Sequence, residues 1–144
     1  MNKNHSETSS FFEKDIEVNQ FDEYQKGLMP GYDLIFQTMK DILEFHFKES
    51  EKLKGCILDV GAGTGNESME ILQMEIFKDL KIVAIDSSKG MKKKFKEKFS
   101  YNFPKSKYKY IVDDIFSYKN STNKKEYCKI ALSGYTIHHF HTDE

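Results

Sequence analysis

Hydrophobic and polar positions along this chain follow two rhythms, and the switching between them predicts the fold. From residue 56 onward, short continuous apolar runs alternate with stretches whose apolar residues recur every three or four positions. The runs CILDV (56–60), KIVAI (81–85), YKYIV (108–112) and CKIALS (128–133) read as buried strands bounded by turn residues. Met69, Leu72 and Ile76 share one helical face and predict a helix over 66–77. Met91, Phe95 and Phe99 form an i, i+4, i+8 stripe and predict a second over 88–100. The lysines of KGMKKKFKEKF lie opposite that stripe and read as a solvated face rather than an RNA-binding one. NSTNKKE (120–126) reads as a surface loop, and TIHHFHTDE as the start of a further helix. Upstream, residues 11–29 predict one or two short helices. PGYD (30–33) is a turn with Asp33 as the expected N-cap, and Ile35, Met39, Ile42 and Leu43 carry a helix ending near KESEKLKG. Residues 1–10 are polar and read as a disordered tail, leaving 11–144 as one domain.

Strand, helix, strand, helix, strand, loop, strand is the pattern of an α/β protein with a doubly wound parallel sheet. Right-handed crossovers make 3-2-1-4 the natural strand order, with a switch point between the first and fourth strands. Ligands of such sheets sit outside the carboxyl ends of the strands at that switch.

Composition narrows the partners. Net charge is −1, so no global field draws in DNA or a membrane surface. Every one of the 22 basic residues is lysine, which removes the bidentate guanidinium clamp as a way of holding phosphate or carboxylate. No apolar run approaches the length of a membrane span, and the N-terminus lacks an apolar signal segment, so a cytoplasmic protein is expected. Cys56 and Cys128 form no disulfide framework by count and read as reduced, buried thiols. His138, His139 and His141 lack an i, i+4 pair on one helix face, so no metal site is expected; His138 or His139 facing a substrate as a base is the lesser alternative.

The first strand ends in Gly61, Gly63 and Gly65. A phosphate-binding loop would need G-x-x-x-x-G-K-[ST], and Asn66 stands where its second glycine belongs. The dinucleotide fingerprint G-x-G-x-x-G fails at the same residue, which disfavours NAD. G-x-G-x-G instead leaves room for a nucleoside without a pyrophosphate. A bare strand-to-helix turn would not need three glycines.

LDVGAGTG resembles the first motif of the class I S-adenosylmethionine-dependent methyltransferases. VAIDSS, VDDIFSY and ALSGYTIHHF resemble that family's next three strand ends, in order, over about residues 20–144. The resemblance implies a Rossmann-like fold and S-adenosylmethionine as cofactor, with S-adenosylhomocysteine as product. The acceptor would be a small molecule or a tRNA nucleoside. It also implies roles. Gly61, Ala62, Gly63 and Gly65 bring backbone close to the ribose and methionine parts, and Asp59 orients the loop and the cofactor's amino group. Asp86, with Ser87 beside it, accepts from the ribose hydroxyls; a mere helix cap is the alternative for Asp86. Asp114 accepts from the adenine amino group, Ile115 packs on the ring, and Ser133 opens beside the methionine part. One of Asp113 and Asp114 is expected to be a solvated turn residue.

FDEYQKGLMPGYDLIFQTM is similar to the lead-in of the carboxy-S-adenosylmethionine synthases, which act in tRNA wobble-uridine modification. There the tyrosine of PGY contacts the cofactor, a role that carries over to Tyr32. The arginine that holds the extra carboxylate in that family has no counterpart here. Members of the wider family continue for a further helix, a fifth strand and an antiparallel pair. Without them the fold is expected to stop after the fourth strand, whose open apolar edge predicts pairing with a second copy. A non-catalytic module binding S-adenosylmethionine or another nucleoside is the alternative function.

Overall fold

The computed structural model describes residues 15–50, 53–116, 118 and 128–136. Two helices, α1 (Asp15–Leu28) and α2 (Tyr32–Phe47), precede strand β1 (Cys56–Val60). Helix α3 (Asn66–Leu72), β2 (Lys81–Asp86), α4 (Lys89–Asn102), β3 (Tyr108–Val112) and β4 (Cys128–Leu132) follow. The four strands form one parallel sheet in the order β3-β2-β1-β4, as the alternating pattern predicts.

The core explains the order. Ile57, Ile82, Ala84, Tyr110 and Ile130 from the sheet pack with Ile71 and Leu72 of α3 and with Phe95 and Phe99 of α4. Phe95 and Phe99 stack with centroids 3.9 Å apart and meet Tyr108 and Tyr110 edge-on. Most lysines of α4 lie away from the core as expected, but Lys98 turns in toward α1 and pairs with Asp22, so that face is not solvated throughout.

Several boundaries differ from the expectation. The helix expected over 66–77 is two pieces. It ends at Leu72, Met74 turns extended (ψ 131°), and a 3-10 turn (Glu75–Phe77) follows. Ile76 therefore packs against the core from that turn, not from the helical face shared with Met69 and Leu72. Asp33 is not a cap. Gly31 (φ 78°) precedes the helix with no side-chain cap, and Asp33 lies in the first turn, 3.4 Å from Lys26. The segment before it forms one 14-residue helix, α1. At β4 the pairing to β1 slips by a residue between Cys56 and Ile57, so the strand begins with a bulge at Lys129. Lys129 and Ala131 are exposed, so β4 is not apolar and covered on both faces as a central strand would be.

The cysteines also depart from the expectation. Cys56 and Cys128 face each other at the starts of adjacent strands, Cα atoms 4.3 Å apart, and are joined as a disulfide. Cys56 is buried but Cys128 is exposed, so they are not two buried free thiols. The strand order is the physical reason. With β4 beside β1, both first residues fall into register, although 72 positions separate them in sequence.

The expected tail (1–10), the loop at 120–126 and residues 137–144, with all three C-terminal histidines, lie outside the described residues. Among the described residues no helix is long and apolar enough to cross a membrane.

Candidate functional site

The carboxyl ends of the four strands present one row of turns. Asp113–Phe116 follow β3, Asp86 ends β2 with Ser87 and Ser88 after it, Gly61–Gly65 follow β1 and Ser133–Thr136 follow β4. The expected residues Gly61, Ala62, Gly63, Gly65, Asp86, Ser87, Asp114, Ile115 and Ser133 are thus brought to one edge.

The glycine turn is fixed by backbone geometry. Gly61, Gly63 and Gly65 all have positive φ. The N–H groups of Gly61 and Ala62 both donate to the carbonyl of Ile85, at 2.8 and 3.2 Å, which ties the turn to the end of β2. At Gly63 the N–H donates to Asp86 at 2.9 Å and the carbonyl accepts from the Tyr110 hydroxyl at 3.1 Å. The turn is therefore held from behind by β2 and β3.

The glycines meet different neighbours. A side chain at Gly65 would sit 2.5 Å from the Phe95 ring and 2.8 Å from Phe99, so this glycine lets α4 pack close. One at Gly61 would collide with Thr136, whose hydroxyl donates to the Gly61 carbonyl at 3.1 Å. Only Gly63 has open space on its Cβ side, bounded by Phe21 of α1 at 4.0 Å. Of the three, Gly63 is the one a ligand can approach in this arrangement.

The acids divide into distinct roles. Asp86 accepts from the Ser88 N–H at 2.8 Å as well as from Gly63. The cap of α4 is Ser88, whose hydroxyl accepts from Met91 N–H at 3.2 Å, so the cap role does not fall to Asp86. Burial raises the Asp86 pKa, against the pull of those two N–H groups. Asp59 is 1% exposed and accepts from the Ser68 hydroxyl on α3. Burial pushes its pKa up to about 7; the Ser68 bond opposes this, while the nearby charges of Glu67 and Asp86 add to it. Asp59 therefore holds β1 to α3 from within. At the end of β3, Asp113 accepts from the Asp114 N–H (2.9 Å) and Asp114 from the Phe116 N–H (3.0 Å), both shaping the turn. Ser87 and Ser133 are exposed at the rim.

A polar clamp that the sequence did not reveal closes the site from the N-terminal side. Asp22 of α1 accepts from Thr64 in the glycine turn, from Asn66 at 3.0 Å and from Lys98 of α4 at 2.7 Å. Lys98 also donates to Thr64 at 3.2 Å and to the Asn66 side-chain oxygen. Burial would raise the Asp22 pKa, but Lys98, Thr64 and Asn66 together bring it below its ordinary value. Asn66 reaches one element further and donates to the Tyr32 hydroxyl at 3.0 Å. Burial pushes that phenol up to about 12. These partners lie 32 to 76 positions apart, beyond any local pattern. Of these residues the sequence assigns only Tyr32 a role at the site; Asp22 and Thr64 lie inside motifs that give them none, and Lys98 belongs to a run that reads as solvated.

Glu67 stands at the same edge, with its pKa raised by burial. Asp59, Glu67 and Asp86 thus all have their charged forms disfavoured there, and Lys98, the cation within electrostatic reach of Glu67, is already engaged by Asp22.

The family described as "Methyltransferase domain" matches residues 57–144. No curated protein matches the sequence. Among solved structures, one similar chain is described as a putative S-adenosyl-L-methionine-dependent methyltransferase from Methanococcus maripaludis. It is 19% identical with a TM-score of 0.63, over 90% of this chain and 53% of that one. Another is the plantazolicin methyltransferase BpumL, in complex with a monoazolic desmethylPZN analog and SAH. It is 21% identical with a TM-score of 0.50, over 81% of this chain and 46% of that one. The chain thus spans about half the length of these structures. With four parallel strands in the order 3-2-1-4 and a family match over more than half its length, the chain belongs to the methyltransferase-domain family and has the Rossmann-like fold of the class I S-adenosylmethionine-dependent methyltransferases.

Proposed function

We propose that this chain is the cofactor-binding part of an S-adenosylmethionine-dependent methyltransferase, acting on a small molecule or a tRNA-related nucleoside. The observation that carries the reading is the glycine turn. Its open position, Gly63, is pinned by Asp86 at the end of the neighbouring strand, with Asp114 one strand further on. In this reading the ribose hydroxyls meet Asp86 and Ser87, whose carboxylate and hydroxyl suit a vicinal diol. Asp114 accepts from the adenine amino group and Ile115 packs on the ring. The methionine part lies along Gly61–Gly63 toward Tyr32 and Ser133. The SAH held by the BpumL structure is consistent with the same product here.

When bound, the cofactor supplies an electrophilic methyl group. This chain's residues bind and orient it, and leave the nucleophile to be positioned at the β1–β4 end. β4 has a neighbour on one side only among the described residues, and a second copy pairing along that edge is part of the proposal.

Calorimetric titration with S-adenosylmethionine, S-adenosylhomocysteine and NAD tests the reading. The first two are expected to bind and NAD is not. Tighter binding of NAD, or no binding of either adenosyl ligand, overturns it.

A further inference from the structure

Helix α4, whose lysine run the apolar pattern assigns to solvent, works against its own electrostatics. From Lys89 to Lys109 the chain holds nine lysines and one acid, Glu97, so a net charge near zero hides a strongly basic segment and an acidic remainder. The first turn of α4 contains no acid, although the helix dipole favours one there, and it opens with Lys89 instead. Lys89 and Lys93, and likewise Lys92 and Lys96, are like charges four residues apart, a spacing that destabilises a helix. Stability therefore does not account for the run. Solubility does not either, since a surface of interspersed signs serves it.

The structure separates the lysines that are engaged from those that are not. Lys98 is held by Asp22, Lys94 by Glu97 at 3.3 Å, and Lys107 by the carbonyls of Lys78 and Leu80. Lys89, Lys92 and Lys96 form no ion pair among the described residues. Two rows run along the outer face of α4, while Met91, Phe95 and Phe99 turn into the core. One row is Lys92, Lys96 and Ser100. The other is Lys89, Lys93, Glu97 and Tyr101, in which Lys94 offsets the one acid. Tyr101 closes that row with its ring 92% exposed. Lys89 opens it three residues after Asp86, beside the candidate cofactor site.

We propose that the outer face of α4 docks single-stranded RNA carrying the methyl acceptor, with the lysines on phosphates and Tyr101 stacked on an unpaired base. Point charges repeating about every helical turn, roughly 5.4 Å, suit a polyanion with regularly spaced charges. An exposed ring stacks on bases that loops and single strands splay out and that a duplex keeps stacked. An anionic membrane is the poorer match, because the apolar stripe of α4 is buried in the core and has nothing to insert. Of the two acceptor classes under Proposed function, the basic face selects a nucleoside within RNA, and the assignment rests on that reading.

The test is fluorescence anisotropy on the full chain with a labelled, unstructured RNA oligonucleotide, the same sequence as single-stranded and duplex DNA, and sedimentation with phosphatidylserine vesicles. Calorimetry with S-adenosylhomocysteine runs beside it. Wild type is expected to bind the RNA in preference to the duplex, more weakly as salt rises. Lys92→Gln combined with Lys96→Gln should weaken RNA binding about tenfold at low salt and reduce the slope of log affinity against log salt by about 1.4, for two lost phosphate contacts. Tyr101→Ala should weaken binding and leave that slope in place. Lys48→Gln combined with Lys54→Gln removes the same charge outside α4 and should leave the slope unchanged. None of these variants should alter affinity for S-adenosylhomocysteine. Equal losses in the two double variants, tighter binding of either DNA, or lysine-dependent binding of vesicles without RNA binding would each overturn the proposal and leave the cofactor reading standing. RNA binding by a chain that binds no S-adenosylhomocysteine would overturn the cofactor reading, and the role of this face in methyl transfer with it.

Discussion

The Asp86 carboxylate accepts the backbone N–H of Gly63 at 2.9 Å, joining the end of β2 to the one open position of the glycine turn. Asp86→Ala is therefore expected to weaken binding of S-adenosylmethionine by about 1–3 kcal/mol, through the lost ligand bonds and the loosened turn. The sheet should survive, because Ser88 rather than Asp86 caps α4. Calorimetry with circular dichroism checks both parts. An unchanged dissociation constant in a folded variant would remove Asp86 from the site.

The glycines separate fold from function. Gly65→Ala places a methyl 2.5 Å from Phe95 at a φ of +83°, and is expected to cost about 1–3 kcal/mol of stability in chemical denaturation. Gly63→Ala meets open space apart from Phe21 at 4.0 Å, so it should destabilise less while weakening ligand binding more. The reverse ranking would place the ligand elsewhere.

How much of this was legible in the sequence depends on distance along the chain. Strand runs such as KIVAI and the stripe Met91, Phe95 and Phe99 declare themselves because burial has a local period, and topology followed from chirality rules. Gly61–Gly65 was legible as a tight, positive-φ turn because glycine costs entropy that a plain turn would avoid. The approach of Glu67 to the turn after β4 was not, since Glu67 looks like an ordinary first-turn acid until β4 is laid beside β1. The disulfide was missed for a related reason: a count of two cysteines suggested none, and register between two strands decided it. The split of the helix after Leu72 turned on backbone geometry at Met74, which apolar spacing does not report.

Asp59 should make stability depend on pH. Its folded pKa is raised from 3.8 to about 7 by burial. Below the unfolded value both states hold the proton and the contribution is fully present. As pH rises the unfolded chain releases its proton first, so stability falls until the folded pKa is passed. The fall between about pH 4 and 7 should be on the order of a few kcal/mol. Asp59→Asn, which cannot titrate, should flatten that segment of the curve. An unchanged slope in the variant would mean that other groups set it.

The Cys56–Cys128 bond predicts that no free thiol is detected on the unreduced denatured protein, and two after a dithiol reductant. Cys128→Ser should lower stability by about 2–4 kcal/mol, as a cross-link that closes a long loop restrains the unfolded chain. Two reactive thiols without reductant would show the pair unjoined in solution.

The order β3-β2-β1-β4 also sets a sequence of events in time. β1 meets β2 across a single helix, yet must wait for a strand that begins 72 positions after its own first residue. Distant pairings form late because chain closure precedes their reward. Assembly should therefore proceed from β1–β2–β3 outward, with one flank of the central strand bare until β4 docks. Pulsed hydrogen exchange during refolding should protect amides of β2 before those of β4. In that interval the glycine turn is already anchored to Ile85, but Gly134 has not yet been brought against Glu67. The β2–β3 side of the strand-end edge would thus form first and its β4 side last.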